Sequence, residues 1–228
     1  MRKVIFLEGE YFHICHRGNN KQDIFYSDSD RLRFLFLILY FQSPETFANL
    51  SDWIKICLKQ NGTEIERNLN NKSVELEKKI LDKRIVNLIN FALMPNHFHL
   101  TLQTLKDEAI SLYMQRVLTS YTKYINIKYE KVGHLFQGPF TAVHINDDDQ
   151  LMYLSAYIHL NPRELTDWHG KEDEYPWSSY QDYTNTNRWG KLLAIEHVLE
   201  NFRLPNEYSD FVKNSGAKEL DEELKTCI

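Results

Sequence analysis

Two imidazoles stand two residues apart in Met94-Pro95-Asn96-His97-Phe98-His99-Leu100. Side chains alternate faces along a strand, so His97 and His99 point one way and Phe98 and Leu100 the other. The alternation continues, with Phe98, Leu100 and Leu102 on one face and His99, Thr101 and Gln103 on the opposite one. Two imidazoles fixed on one face of a rigid strand can share a metal ion, while the apolar face anchors that strand in a core. Alone the pair is a weak signal, because histidines on a strand are more often ordinary core or surface residues.

A second group, Tyr157-Ile158-His159-Leu160-Asn161-Pro162, reads as the end of a helix. Tyr157 and Asn161 are four residues apart and share a helix face, so a phenol and an amide oxygen are presented together. Set against the histidine strand, this helix completes a site of two imidazole nitrogens and one amide oxygen, with a phenol beside them. Mixed nitrogen and oxygen ligands with open positions suit Mg²⁺ or Mn²⁺ better than structural zinc. Plainer readings exist for each residue. Tyr157 can be a packing aromatic, Tyr153 is a competing phenol one turn earlier, and Tyr121 and Tyr124 are weaker rivals. Asn161 can be simply the last residue before a proline, which biases it away from helical backbone. His13, His16, His134, His144 and His159 carry no pairing argument and read as structural.

The elements that must position these groups follow from local pattern. Tyr11 to His16 reads as a strand ending in the polar turn Arg17-Gly18-Asn19-Asn20-Lys21. Ser27-Asp28-Ser29-Asp30 caps a helix to about Phe41, stopped by Ser43-Pro44. Thr46 to Leu58 and Val74 to Lys83 have helical character on either side of an Asn61-Gly62 break, so residues 45–84 look like an insertion. Ile85 to Leu93 and His97 to Thr104 form a hairpin around Met94-Pro95-Asn96. Ile110, Met114, Val117, Tyr121, Tyr124 and Ile125 follow helical spacing over 108–129. Phe140 to Ile145 reads as a strand, and Asn146-Asp147-Asp148-Asp149 starts a helix that Pro162 ends. A helix is expected near Leu192 to Phe202, then a polar tail. The order describes an α+β fold, a ferredoxin-like or RRM-like antiparallel sheet with helices packed on one face. The first strand and the histidine strand would then be central neighbours. Residues 1–180 form the main domain, and residues 181–228 a C-terminal helical extension and tail.

Composition sets outer limits. With 43% apolar and 26% charged residues, the 228-residue chain is an ordinary globular protein. No apolar run approaches a membrane span, and Glu8 and Glu10 interrupt the apolar start, which is therefore not a signal peptide. Three widely spaced cysteines argue against a zinc knuckle or a disulfide framework, and a cytoplasmic location fits. The net charge of −5 neither requires nor forbids a nucleic-acid partner.

Together these runs resemble a family. Met94 to Leu100 looks like the His-hydrophobe-His (HUH) motif of single-tyrosine transposases, and the closest likeness is to the REP-associated tyrosine transposases. Tyr11 to Gln22 resembles their opening strand and turn, and Gly133-His134-Leu135-Phe136-Gln137-Gly138-Pro139-Phe140 their segment before the last strand. Tyr157 to Pro162 resembles their catalytic helix, and Trp177-Ser178-Ser179-Tyr180 their C-terminal signature. The likeness covers 11–42 and 85–180 in order, and residues 45–84 fit poorly. It implies that Tyr157 is a nucleophile on single-stranded DNA, forming a 5′-phosphotyrosine and releasing a 3′-hydroxyl. It further implies that His97, His99 and Asn161 hold a divalent ion, Mg²⁺ or Mn²⁺. The substrate implied is single-stranded DNA with a hairpin structure, and a homodimer is compatible with the family. Arg17, Asn19, Asn20 and Lys21 then become DNA-contact candidates, although a solvated turn explains them equally well. Arg116, Lys123, Lys128 and Lys131 read as a solvated helix face.

Two other classes stand beside this one. A catalytically silent or domesticated hairpin-DNA-binding relative would be expected to have lost Tyr157 or a histidine, and all three are present. An unrelated metal-dependent nuclease lacks an acidic cluster near the histidines, and Asp147-Asp148-Asp149 is explained by its place at a helix N-terminus.

Overall fold

The computed structural model describes residues 4–47, 52, 54, 58–61, 64–67 and 70–217. Strand β1 (Tyr11–Arg17) leads through a tight loop to helix α1 (Asp28–Tyr40). A separate two-stranded ribbon, β2 (Leu58–Asn61) and β3 (Glu64–Arg67), and helix α2 (Asn71–Asp82) stand between α1 and the next sheet strand. Much of the expected helix at Thr46 to Leu58, like residues 218–228 of the tail, lies outside the described residues. The hairpin β4 (Val86–Met94) and β5 (His97–Thr104), helix α3 (Ala109–Lys128), strand β6 (Thr141–Ile145) and helix α4 (Asp148–His159) follow.

The sheet has the order β4-β5-β1-β6 and every pairing is antiparallel. This is the ferredoxin-like order expected from the sequence, with β1 and the histidine strand β5 adjacent at the centre. Its register explains the division of labour between the faces. Phe12, Ile14, Leu100, Leu102 and Phe98 point to one side and pack with α1 and α3 in the larger core. On the opposite side stand Tyr11, His13, Cys15 and Arg17 of β1, paired with Gln103, Thr101, His99 and His97 of β5. Helix α4 covers that side, so helices stand on both faces of the sheet.

Strand β4 contains a bulge between Leu88 and Asn90. The extra residue shifts the alternation, so Val86 and Leu88 before it and Phe91 and Leu93 after it all reach the larger core. Ile89 and Ala92 join the second core under α4.

Local chemistry sets the ends of α4. The Asp147 carboxylate accepts from the backbone N–H of Gln150 at 2.7 Å, Asp148 and Asp149 occupy the first turn, and Pro162 follows the last. Beyond it the chain makes short turns and small helices, α5 (Tyr180–Thr184) and α6 (Glu196–Leu199), of which α6 is much shorter than the helix expected over Leu192 to Phe202. Where a polar tail was expected, Pro205–Asn214 forms a further helix, α7. Tyr208 and Val212 are buried against α4, which is why this segment folds. The described helices include none long and apolar enough to cross a membrane.

Candidate metal and nucleophile site

The site lies between the polar face of β1 and β5 and the C-terminal turn of α4. The His97 and His99 rings are 5.0 Å apart and perpendicular, and the Tyr157 ring lies 5.8 Å from His99 and 6.4 Å from His13. Asn161 is fully buried one turn after Tyr157, and its Nδ2 donates to the Tyr157 carbonyl at 3.0 Å. The four residues expected from sequence are therefore brought together. Tyr153, the rival phenol, is 38% exposed and packs 5.3 Å from the Phe211 ring. Tyr121 is buried in the other core and donates to the Ile24 carbonyl, so it is committed elsewhere.

Each imidazole of the histidine pair is gripped at Nδ1. His97 Nδ1 lies 2.7 Å from Asn96 Oδ1, an atom that can only accept, so His97 carries its proton there. His99 Nδ1 lies 2.9 Å from His13 Nε2, with the two rings nearly parallel. His13, for which the sequence offers no pairing argument, thus lies beside His99 and Tyr157. The signal was present in the strand alternation: Tyr11, His13, Cys15 and Arg17 share a face, and antiparallel pairing turns that face toward His99. Burial pushes His13 down to about 3, so it is neutral near pH 7.

The donor set fits a small divalent cation. Asn161 Oδ1 is buried and has no hydrogen-bond partner among the described residues, which is costly for an amide oxygen unless something else binds it. His13, Cys15 and His99 offer ligand atoms that all lie within 4.8 Å of one another. The Cys15 sulfur is a soft ligand, which Mg²⁺ and Mn²⁺ disfavour. The imidazoles and the Asn161 oxygen are therefore the stronger donors. Burial, then the nearby Glu164 charge, pushes the Tyr157 phenol up to about 12, only partly countered by Asn161.

The loop after β1 is built onto this site. Gly18 N–H donates to the Asn96 carbonyl at 2.8 Å, and Asn96 Nδ2 donates to the Lys21 carbonyl at 3.3 Å. Asn96 thus links the loop to His97. Asn20 and Lys21 are exposed and adopt left-handed backbone, and Arg17 is paired in register with His97. Arg17 and Lys21 are thus tied to the His97 end of the site, with Asn19 and Asn20 in the loop between them. Gly18 is needed for a close approach, since a Cβ there would meet the Gln22 carbonyl oxygen at 2.1 Å. Gly18→Ala is expected to cost about 1–3 kcal/mol by displacing the loop. Urea unfolding measures it, and an unchanged midpoint would mean that the loop yields freely.

Three of the four helix cations have structural duties. Arg116 donates to the Ser43 carbonyl and lies 4.4 Å over the Phe41 ring, Lys128 pairs with buried Asp30, and Lys131 donates to the Tyr26 hydroxyl. Lys123 and Lys131 also line a groove of about 650 Å³ beside α3, with His16, Asn126 and Phe136. This groove lies on the larger-core side of the sheet, and neither His97 nor His99 lines it.

Residues 51–161 match the family model described as "Transposase IS200 like". Over that segment the chain is similar to the IS200-like transposases. The match contains His97, His99, Tyr157 and Asn161, and it ends on the last of them. The solved "Structure of the REP associates tyrosine transposase bound to a REP hairpin" shares the fold, with a TM-score of 0.53 at 12% identity, covering 82% of this chain and 86% of that one. No curated protein matches the chain. The IS200-like segment does not stand alone, because β1, which supplies the central strand and His13, precedes it.

Proposed function

We propose that the protein is a metal-dependent, single-stranded DNA transposase or endonuclease that cleaves and rejoins DNA through a 5′-phosphotyrosine intermediate. The observation that carries this reading is the meeting of Tyr157 and Asn161 with His97 and His99 inside an IS200-like domain. His97, His99 and Asn161 would hold Mg²⁺ or Mn²⁺. When bound, such an ion neutralises charge developing on the phosphoryl oxygens.

Tyr157 supplies the nucleophilic oxygen. The bond from Tyr157 Oη to phosphorus forms as the bond from phosphorus to O3′ breaks; the phenolic proton departs and the released 3′ oxygen is protonated. Because the intermediate keeps a phosphodiester linkage, a 3′-hydroxyl can reverse the step without ATP. Burial of the phenol raises its pKa, so the protein groups around it do not by themselves activate it. Asn161 anchors the turn that carries Tyr157 and ties the ligand to the nucleophile.

Folded single-stranded DNA is the substrate this reading assigns, by analogy with the hairpin in the similar structure. Arg17, Asn19, Asn20 and Lys21 border the histidines as DNA contacts. The α3 groove offers Lys123 and Lys131 with no carboxylate in its lining. A cytoplasmic location suits such a substrate.

The test is incubation of the full chain with end-labelled hairpin DNA and Mn²⁺, scored for DNA covalently attached to protein. A metal-dependent 5′-linked adduct is expected. Hairpin binding without cleavage would favour the silent DNA-binding relative, and cleavage without an adduct would overturn the tyrosine mechanism.

A further inference from the structure

We infer that His13 is a positioning residue for His99, holding that imidazole with its proton on Nδ1 and its Nε2 turned to the metal. The inference rests on the metal reading above and extends it to a residue outside both the His-x-His pair and the matched segment. Three observations carry it. His13 and His99 are both fully buried, and their hydrogen bond of 2.9 Å joins Nε2 of the first to Nδ1 of the second. The rings are tilted by only 15° with centroids 5.1 Å apart, so the contact is held by packing on two central strands and not by a mobile side chain. His97 is held in the same way, through Nδ1, by Asn96.

The chemistry follows from counting protons. A neutral imidazole has one N–H, and the hydrogen bond between the rings needs one. If the proton lies on His99 Nδ1, then His99 Nε2 presents a lone pair and can bind a cation. If it lies on His13 Nε2, then His99 carries its own proton on Nε2 and is blocked as a ligand. An acceptor at the outer nitrogen of a metal-bound histidine fixes its tautomer and ring orientation and raises its basicity. Asn96 can act only in that sense through its oxygen. His13 is able to do so for His99, with its remaining proton on Nδ1. Among the described residues His13 Nδ1 has no hydrogen-bond partner, so no other contact dictates the reverse arrangement.

The experiment is calorimetric titration of the metal-free full chain with Mn²⁺, without DNA. Wild type is expected to bind, and His97→Ala to abolish binding. His13→Leu is expected to weaken Mn²⁺ affinity about 10–100-fold, the usual cost of losing an outer-shell partner. His13→Gln, whose side-chain oxygen can accept from His99, is expected to recover most of that loss. Wild-type affinity in a folded His13→Leu overturns the role of His13 and leaves the metal site standing. A wild type that binds no Mn²⁺, or a His97→Ala that binds normally, overturns the metal reading and this inference with it. Should His13→Leu fail to fold, long-range ¹H–¹⁵N spectra of the Mg²⁺-saturated wild type decide the matter. The shared proton on His99 Nδ1 supports the role, and the proton on His13 Nε2 removes it.

Discussion

Tyr157→Phe is expected to abolish the covalent protein–DNA adduct and to slow strand cleavage by about 10⁴-fold or more, as deletion of a nucleophile commonly does. The substitution removes one oxygen and leaves the ring where it packs, so the fold should be unchanged. The geometry makes the outcome specific to this tyrosine. Tyr157 is buried beside His99 and His13, whereas Tyr153 is half-exposed against Phe211 and Tyr121 is locked in the other core. Tyr153→Phe should therefore cleave at the wild-type rate. Denaturing gels of labelled hairpin DNA report both variants in one experiment. An adduct that persists in Tyr157→Phe and disappears in Tyr153→Phe would move the nucleophile one turn along α4.

The second large effect concerns stability. Asp30 is fully buried and takes hydrogen bonds from Lys128 at 2.6 Å, Tyr129 at 2.7 Å, Tyr26 N–H at 3.0 Å and Tyr124 at 3.1 Å. It joins the first turn of α1 to the end of α3, the two helices that cover the larger core. Burial alone would raise its pKa, but the bonds from Lys128, Tyr129, Ser27 and Tyr124 prevail and hold it below the ordinary value. A depressed carboxylate contributes fully above its unfolded pKa, here 3.8, and the contribution fades as the pH falls through the folded value. Asp30→Asn leaves Lys128 facing a neutral amide, and its cost is expected to be about 3 kcal/mol near pH 7. For a chain of this size that is roughly 6–12 °C in Tm. The gap between variant and wild type should begin to narrow as the pH falls below 3.8, where the unfolded carboxyl takes up its proton, and should close only below the depressed folded value. Thermal melts at pH 7 and pH 3 test both statements. A gap that does not change with pH would place the effect in packing instead of charge.

What could be read from the sequence was mostly short-range. The His-x-His alternation, the Tyr157 and Asn161 spacing and the Asp147 cap each depend on a few consecutive residues, and each is found in the structure. The contact of His13 with His99 had no local signal because the two are 86 positions apart, so it depends on strand register. Only the shared face of Tyr11, His13, Cys15 and Arg17 hinted at it. Helix α7 was missed because its acidic and polar residues outweigh the apolar spacing of Tyr208, Phe211 and Val212. That spacing is helical, and the packing of Tyr208 against His159 and Ser155 gives it a reason to fold.

His159 leaves α4 on the side away from the strand histidines, reaching Tyr208 through Nδ1 and Ser179 through Nε2. Its two anchors come from segments after residue 161, and the central strand of the sheet comes from before residue 51. The portion that carries the ancestral likeness is therefore smaller than the portion that must be inherited for it to work. An exchange of gene fragments at the edges of that likeness would deliver His97, His99, Tyr157 and Asn161 without β1, to which both β5 and β6 pair, and without the Ser179 and Tyr208 hydroxyls that hold His159. Matched and flanking segments therefore form one packing unit, and a cassette cut at the edges of the likeness would lack part of its own sheet.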